Sequence, residues 1–320
     1  MPAFTPPHCP YPDCPPRPFL YRRRGTYTRA CDGRVVPRFE CLKCQRRFSS
    51  QSFRIDYRHR RPELNIPIAE GLDSKVTMRQ LARMKGCNLK TVARRIPLFG
   101  QHFRELQRQH LAENPNKLGK DAAFVFDELE TFEQNRIEKP LTVPIVVDGK
   151  TGFIIHGEVG MLPARRKVEG ALPRPNESAE MVKRCLTVVA NNLAPNITPH
   201  FVSDRKSVYQ KALRLTMPGS YAHKRVPSTE QRDFTNPLFP INHLFAMLRD
   251  GISRLVRRNW AYSKKRERLL DHLWIYIGYR NYVRYITNYC QDLSPASAMG
   301  IAPRMYSLRE ALTWRGRISL

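Results

Sequence analysis

Two close pairs of cysteines and two aspartates are the residues of this sequence whose types and spacing can do chemistry. Four residues separate Cys9 from Cys14, two separate Cys41 from Cys44, and 26 separate the pairs. Each pair offers two thiolates from one tight turn, which suits a tetrahedral Zn²⁺ held by four sulfurs. In so small and polar a segment the metal would supply much of the folding energy. His8 is the alternative to Cys9 as a ligand, and Cys31, directly before the Asp32-Gly33 turn signal, is read as a non-ligand. The aspartates are Asp127 and Asp204. Each closes a strand-like apolar run, over residues 121–127 and 198–204. Brought together on neighbouring strands, two carboxylates would hold Mg²⁺ or Mn²⁺, hard cations that prefer oxygen. Two such ions activate an attacking oxygen and stabilise a leaving one in phosphoryl transfer. The bland reading of each acid is a turn or cap residue.

The elements that must position these groups fall into three segments, with an α+β pattern overall. Residues 1–60 are Cys-, Pro- and Arg-rich with short strands and a hairpin, the expected zinc ribbon. Residues 72–112 read as a helix-turn-helix. Thr77 caps a short amphipathic helix, Gly86-Cys87-Asn88 makes a turn, and a second helix starts at Leu89. With Leu89, Val92, Ala93 and Ile96 at core spacing, Lys90, Thr91, Arg94 and Arg95 face outward, as on a recognition helix. Residues 120–320 hold a strand, a hairpin around Asp148-Gly149, an amphipathic helix over 177–193 and a further strand. That is the order of a ribonuclease-H-like α/β core. A basic helix over 249–268 and an apolar helix over 274–289 would close it.

Charge supports the division. The chain has 320 residues, 55 Lys+Arg against 28 Asp+Glu, and a net charge of +27, which calls for a polyanionic partner, double-stranded DNA first. Residues 1–120 hold 25 bases and 9 acids, whereas residues 121–160 hold 8 acids and 3 bases around Asp127. The stretch 249–268 carries Arg254, Arg257, Arg258, Lys264 and Lys265 among eight bases against two acids, suited to tracking a phosphate backbone. Trp260 and Tyr262 interrupt it and are read as packing residues. Mean hydropathy is −0.51 and no apolar run approaches the ~18 residues of a membrane span. The Pro-rich start has no apolar stretch, so no secretory signal and no membrane partner are expected, and the cysteines stay reduced.

The whole arrangement resembles the bacterial insertion-sequence transposases of the insertion-sequence-one type. The resemblance rests on Arg38-Phe39-Glu40-Cys41-Leu42-Lys43-Cys44 with Phe48, on Asp127-Glu128-Leu129-Glu130-Thr131-Phe132, on Ser203-Asp204, and on a tail from Leu248-Arg249 to Tyr279-Arg280-Asn281. It implies a DDE triad on a ribonuclease-H-like fold that cuts and rejoins DNA ends, with Asp127 and Asp204 as the first two acids. It implies binding of element ends and target DNA, a homo-oligomer on DNA, and a cytoplasmic, nucleoid-associated protein. The family's third acid falls here on Asn242, seven residues before Arg249. Asn242 or His243 completes an altered triad, a displaced Glu230 or Asp250 serves instead, or the chain is inactive. The rival to a transposase is a DNA-binding regulator, or a decayed transposase, that keeps only the binding modules.

Overall fold

The computed structural model describes the chain except residues 1–3, 12, 15–17, 31, 58, 116, 120–122, 167–172, 218, 228, 232, 257–259 and 315–320. Cys31, Arg257 and Arg258 therefore lie outside the described residues.

The N-terminal segment forms an antiparallel sheet of β1 (Tyr21–Thr28), β2 (Val35–Cys41) and β3 (Arg47–Ser49). Gly33, at φ +68°, turns the chain between β1 and β2, a left-handed conformation that glycine adopts without a Cβ clash. Among the described residues its core is a small cluster of Cys14, Phe39, Cys41 and Phe48 with half-buried aromatics, beside a buried Val36. A core that small does not hold a three-stranded sheet by itself.

Next come α1 (Asn65–Asp73), α2 (Met78–Met84) and α3 (Leu89–Glu113). α2 begins where expected, because Thr77 and Gln80 cap each other reciprocally, and Asn88 Oδ1 accepts from Lys90 N (2.8 Å) to start α3. Two expectations fail on α3. Arg95 is buried and Leu89 is exposed. The inward stripe runs through Val92, Ile96, Phe99, Phe103 and Leu106, and Arg95 sits three residues after Val92 and four before Phe99. It lies near Glu63 and Asp56, whose charges act on it, and its own charge helps hold the His59 imidazole down.

The second sheet is mixed. Its strands are β4 (Phe124–Phe132), β5 (Pro140–Asp148), β6 (Ile154–Gly157), β7 (Gly160–Met161), β8 (His200–Asp204) and β9 (Ala222–Val226). Their order is β6-β5-β4-β8-β9, with β7 on β5; β5 is antiparallel to β4 and β6, and β8 and β9 are parallel to their neighbours. Asp148 Oδ1 organises the β5–β6 turn by accepting from Thr151 N (2.7 Å) and its hydroxyl (2.7 Å). Alternation sorts the side chains. Phe124, Phe126 and Phe201 pack under α4 (Ser178–Asn191) and α5 (Ser207–Thr216). Val125, Leu129, Val143 and Val202 pack under α6 (Phe239–Gly251) and α7 (Arg266–Gly278). Short α8 (Pro295–Ala298) and α9 (Leu308–Thr313) finish the chain. Among the described residues no helix is long and apolar enough to cross a membrane.

The C-terminal half departs from expectation in three places. The basic stretch is not one helix. α6 ends at Gly251, where a Cβ would meet the Tyr276 ring at 2.7 Å, a tight turn follows at Ser253–Leu255, and α7 starts only at Arg266. That turn tucks Arg254 inside, with its guanidinium 3.6 Å from Met78 Sδ. Its burial removes it from any phosphate-tracking face. The apolar helix stops early too, with α7 passing into a π turn at Tyr279–Val283. Trp260 is 95% exposed instead of packed, while Tyr262 lies against Phe132.

α3 packs along α7 without space for side chains at the crossing. A Cβ on Gly100 would stand 2.5 Å from the Asp271 carbonyl oxygen, a backbone atom that cannot swing aside. Gly100→Ala gains about 1 kcal/mol of helix propensity. Overpacking costs about 1–3 kcal/mol, so a net loss of up to roughly 2 kcal/mol is expected in urea unfolding. Gly219→Ala, with nothing within 4 Å, serves as the near-neutral control.

His272 fastens α7 to the end of α1 through Nε2 and the Leu72 carbonyl (3.0 Å). Burial, aided by the Arg254 charge, pushes its imidazole down to about 3. The unfolded chain takes up this proton below about pH 6.5 and the native protein does not. This contribution is therefore complete above about pH 6.5 and fades as pH falls towards about 3, on the order of 5 kcal/mol in full. Urea unfolding between about pH 7 and 4.5 should show a falling midpoint, and His272→Gln should flatten the slope.

Candidate functional site

The four cysteines meet. Cys9, Cys14, Cys41 and Cys44 place their sulfurs within 4.8 Å of one another, with Cys9–Cys44 and Cys14–Cys41 each at 3.7 Å. The 41–44 turn closes because Gln45 adopts φ +56° and its N–H donates to the Cys41 carbonyl. Burial opposes ionisation of Cys44, yet the Arg46 backbone N–H and guanidinium outweigh it and bring the thiol to about 6. Burial and the neighbouring thiols drive Cys9 up to about 12. Four sulfurs this close together could hold a structural metal such as zinc. His8 is not part of it; its ring lies edge-on against Phe53.

The two acids also meet. β4 pairs with β8 at Phe124–Phe201 and Val125–Val202, and the same register carried two residues on brings Asp127 beside Asp204, whose charge acts on it. Alternation puts both on the face of Val125 and Val202, the face that α6 covers. Asp204 is the last residue of β8, as expected. Asp127 is different: β4 does not end at the acid but runs on to Phe132, because Leu129 and Thr131 keep pairing with β5. Asp127 Oδ1 accepts from Glu128 N (2.7 Å) and from the Tyr209 hydroxyl (3.0 Å). Asp204 Oδ1 accepts from Lys206 N (2.9 Å). Neither Oδ2 has a hydrogen-bond partner among the described residues. Burial raises the Asp127 carboxyl above its ordinary range, and the Asp204 charge adds to that. Two half-buried carboxylates, each with one oxygen free of hydrogen bonds among the described residues, fit a hard divalent cation.

The third position is less complete. Asn242 lies in the first turns of α6, half-buried beside Ile241, and makes no side-chain hydrogen bond among the described residues. His243 is exposed and stacked on Phe239 at 5.6 Å. Glu230 is exposed in the segment before α6. Asp250 stands at the far end of the helix, paired with Lys75 at 3.3 Å, and is not brought to the aspartates.

Sequence reading missed three participants. Glu128 is buried and accepts from Thr142 (2.7 Å), Ser178 (2.7 Å), Tyr209 (3.1 Å) and Lys206 (3.2 Å). Lys206 and Tyr209 lie three apart at the start of α5, directly after Asp204, and that helical spacing was the available signal.

Of the expected DNA-facing residues, Lys90, Arg94, Lys264 and Lys265 are exposed and Thr91 is half-exposed. Arg79 and Arg83 on α2 add two exposed cations beside the first group. No protein-family model and no curated protein matches the chain.

Proposed function

We propose that the protein is a DNA transposase that cleaves and joins strands with divalent metal. The observation that carries this reading is the placement of Asp127 beside Asp204, on adjacent parallel strands and one face of a sheet. The strand order, with β5 antiparallel and β8 and β9 parallel to β4, agrees with a ribonuclease-H-like core. In that reading Asp127 and Asp204 hold Mg²⁺ or Mn²⁺, which supplies activation of the attacking oxygen and charge neutralisation at the phosphate. Asn242 contributes a neutral carbonyl from α6. The four-cysteine unit is a zinc ribbon and α2 with the start of α3 a helix-turn-helix. Lys90, Thr91 and Arg94 contact element ends, and Lys264 and Lys265 hold the strand backbone. Zinc is structural and takes no part in cleavage. Assembly as a homo-oligomer on paired ends belongs to the same proposal.

A second reading, a DNA-binding regulator without catalysis, is favoured by one observation: among the described residues, the position on α6 where the resemblance expects a third acid holds Asn242 and no carboxylate. Supercoiled DNA carrying candidate ends, incubated with the purified protein and Mn²⁺ or Mg²⁺, separates the two. Nicking that needs metal and is lost in Asp127→Asn supports the transposase. Tight end binding without metal-dependent nicking leaves the regulator standing.

A further inference from the structure

The buried cluster around Glu128 has a feature that a purely structural network does not need. The Tyr209 hydroxyl stands 3.0 Å from Asp127 Oδ1 and 3.1 Å from Glu128 Oε2, and it has one hydrogen to give. Glu128 does not depend on it. Thr142 and Ser178 both donate to its Oε1, and the Lys206 ammonium, 3.2 Å away, compensates its Oε2. Asp127 has no other side-chain donor among the described residues. We infer that Tyr209 is a positioning residue for the metal-binding carboxylate of Asp127, with Glu128 and Lys206 as the anchor that directs the Tyr209 hydrogen to it.

The geometry explains how this works. Two donors on the same atom, the Glu128 N–H at 2.7 Å and the Tyr209 hydroxyl at 3.0 Å, hold the Asp127 carboxylate in one orientation and leave Oδ2 as the oxygen presented to a cation. The phenol is itself immobile. It is fully buried, its ring packs edge-on against Phe126 at 5.1 Å, and α5 carries it on the same turn as Lys206. Glu128 extends the support across four elements, since its donors come from β5, α4 and α5 while it sits on β4. Groups that orient a ligand in this way contribute about 10–100-fold to metal affinity.

This inference rests on Asp127 and Asp204 binding divalent metal, so the test measures binding and not cleavage. Mn²⁺ is titrated into the full-length, zinc-loaded chain, and free and bound Mn²⁺ are followed by electron paramagnetic resonance. Tyr209→Phe keeps the ring and the charge and removes only the hydroxyl; its Mn²⁺ affinity should fall by about tenfold, with an altered bound-Mn²⁺ spectrum. Gly100→Ala, at the α3–α7 crossing and outside the cluster, should lower the unfolding midpoint and leave Mn²⁺ affinity at the wild-type level. Equal losses of affinity in the two variants would mean the cluster acts only through stability and would overturn the inference. Wild-type affinity in Tyr209→Phe, with binding lost in Asp127→Asn, would overturn it while the metal pair stands. Absence of Mn²⁺ binding by the wild-type chain would remove the metal reading and this inference with it.

Discussion

Asp127→Asn is expected to lower metal-dependent nicking by on the order of 10³-fold or more while leaving the protein folded. The two effects separate because the carboxylate is a poor stabiliser where it sits. It is half-buried, and burial together with the Asp204 charge holds its carboxyl above the ordinary range. A carboxyl raised in this way binds its proton more tightly in the folded chain than in the unfolded one. Its stabilising contribution is present at low pH and is lost as pH rises through the folded value. At neutral pH, without metal, the ionised group costs stability, so the isosteric amide should melt at or above the wild-type temperature. Addition of Mn²⁺ should raise the wild-type melting temperature and not that of Asp127→Asn. A variant that keeps wild-type nicking would remove Asp127 from the chemistry.

Removal of metal from the cysteine cluster should unfold the N-terminal sheet and leave the mixed sheet intact. Among the described residues, the sheet of β1, β2 and β3 has a small buried cluster of Cys14, Phe39, Cys41 and Phe48, and two of these are the proposed ligands themselves. Structural zinc sites contribute about 10–16 kcal/mol of apparent binding free energy, as much as or more than the roughly 6–12 kcal/mol from burying four side chains. About one zinc per chain is expected, displaced by a strong chelator and lost in Cys41→Ser. Amide exchange should then become fast at Phe39 and Phe48 while Val125 and Val147, in the mixed sheet, stay protected. Unchanged metal content in Cys41→Ser would exclude a four-cysteine site.

Parts of this architecture were legible because their causes are local. Thr77 with Gln80 and Asn88 before Leu89 are caps that act within one turn, so α2 and the start of α3 could be placed from the residues alone. The strand read over residues 141–147 is β5, buried on both faces instead of alternating. The cysteine spacing was enough to bring four sulfurs within 4.8 Å of one another. What could not be read had distant causes. Arg95 looked outward on a helix considered alone and is buried where Asp56 and Glu63 act on it. The basic stretch looked like one helix until Tyr276 met Gly251 and the turn after it carried Arg254 inside. β4 looked finished at Asp127, but β5 supplies partners for the five residues beyond it.

The functional residues divide along the same line. Residue type and spacing marked Cys9, Cys14, Cys41 and Cys44 as a set, because a short turn presents both sulfurs of a pair whatever surrounds it. They also marked Asp127 and Asp204 as acids carried on apolar strands. That the two aspartates stand together follows from a register between strands about 75 residues apart in the chain, which no local preference sets. That Glu128 is an anchor and Tyr209 a donor follows from β5, α4 and α5 converging on β4. Local steric and capping energies are written in neighbouring residues, whereas the pairing of acids and donors depends on which surfaces bury each other, and only the tertiary structure decides that.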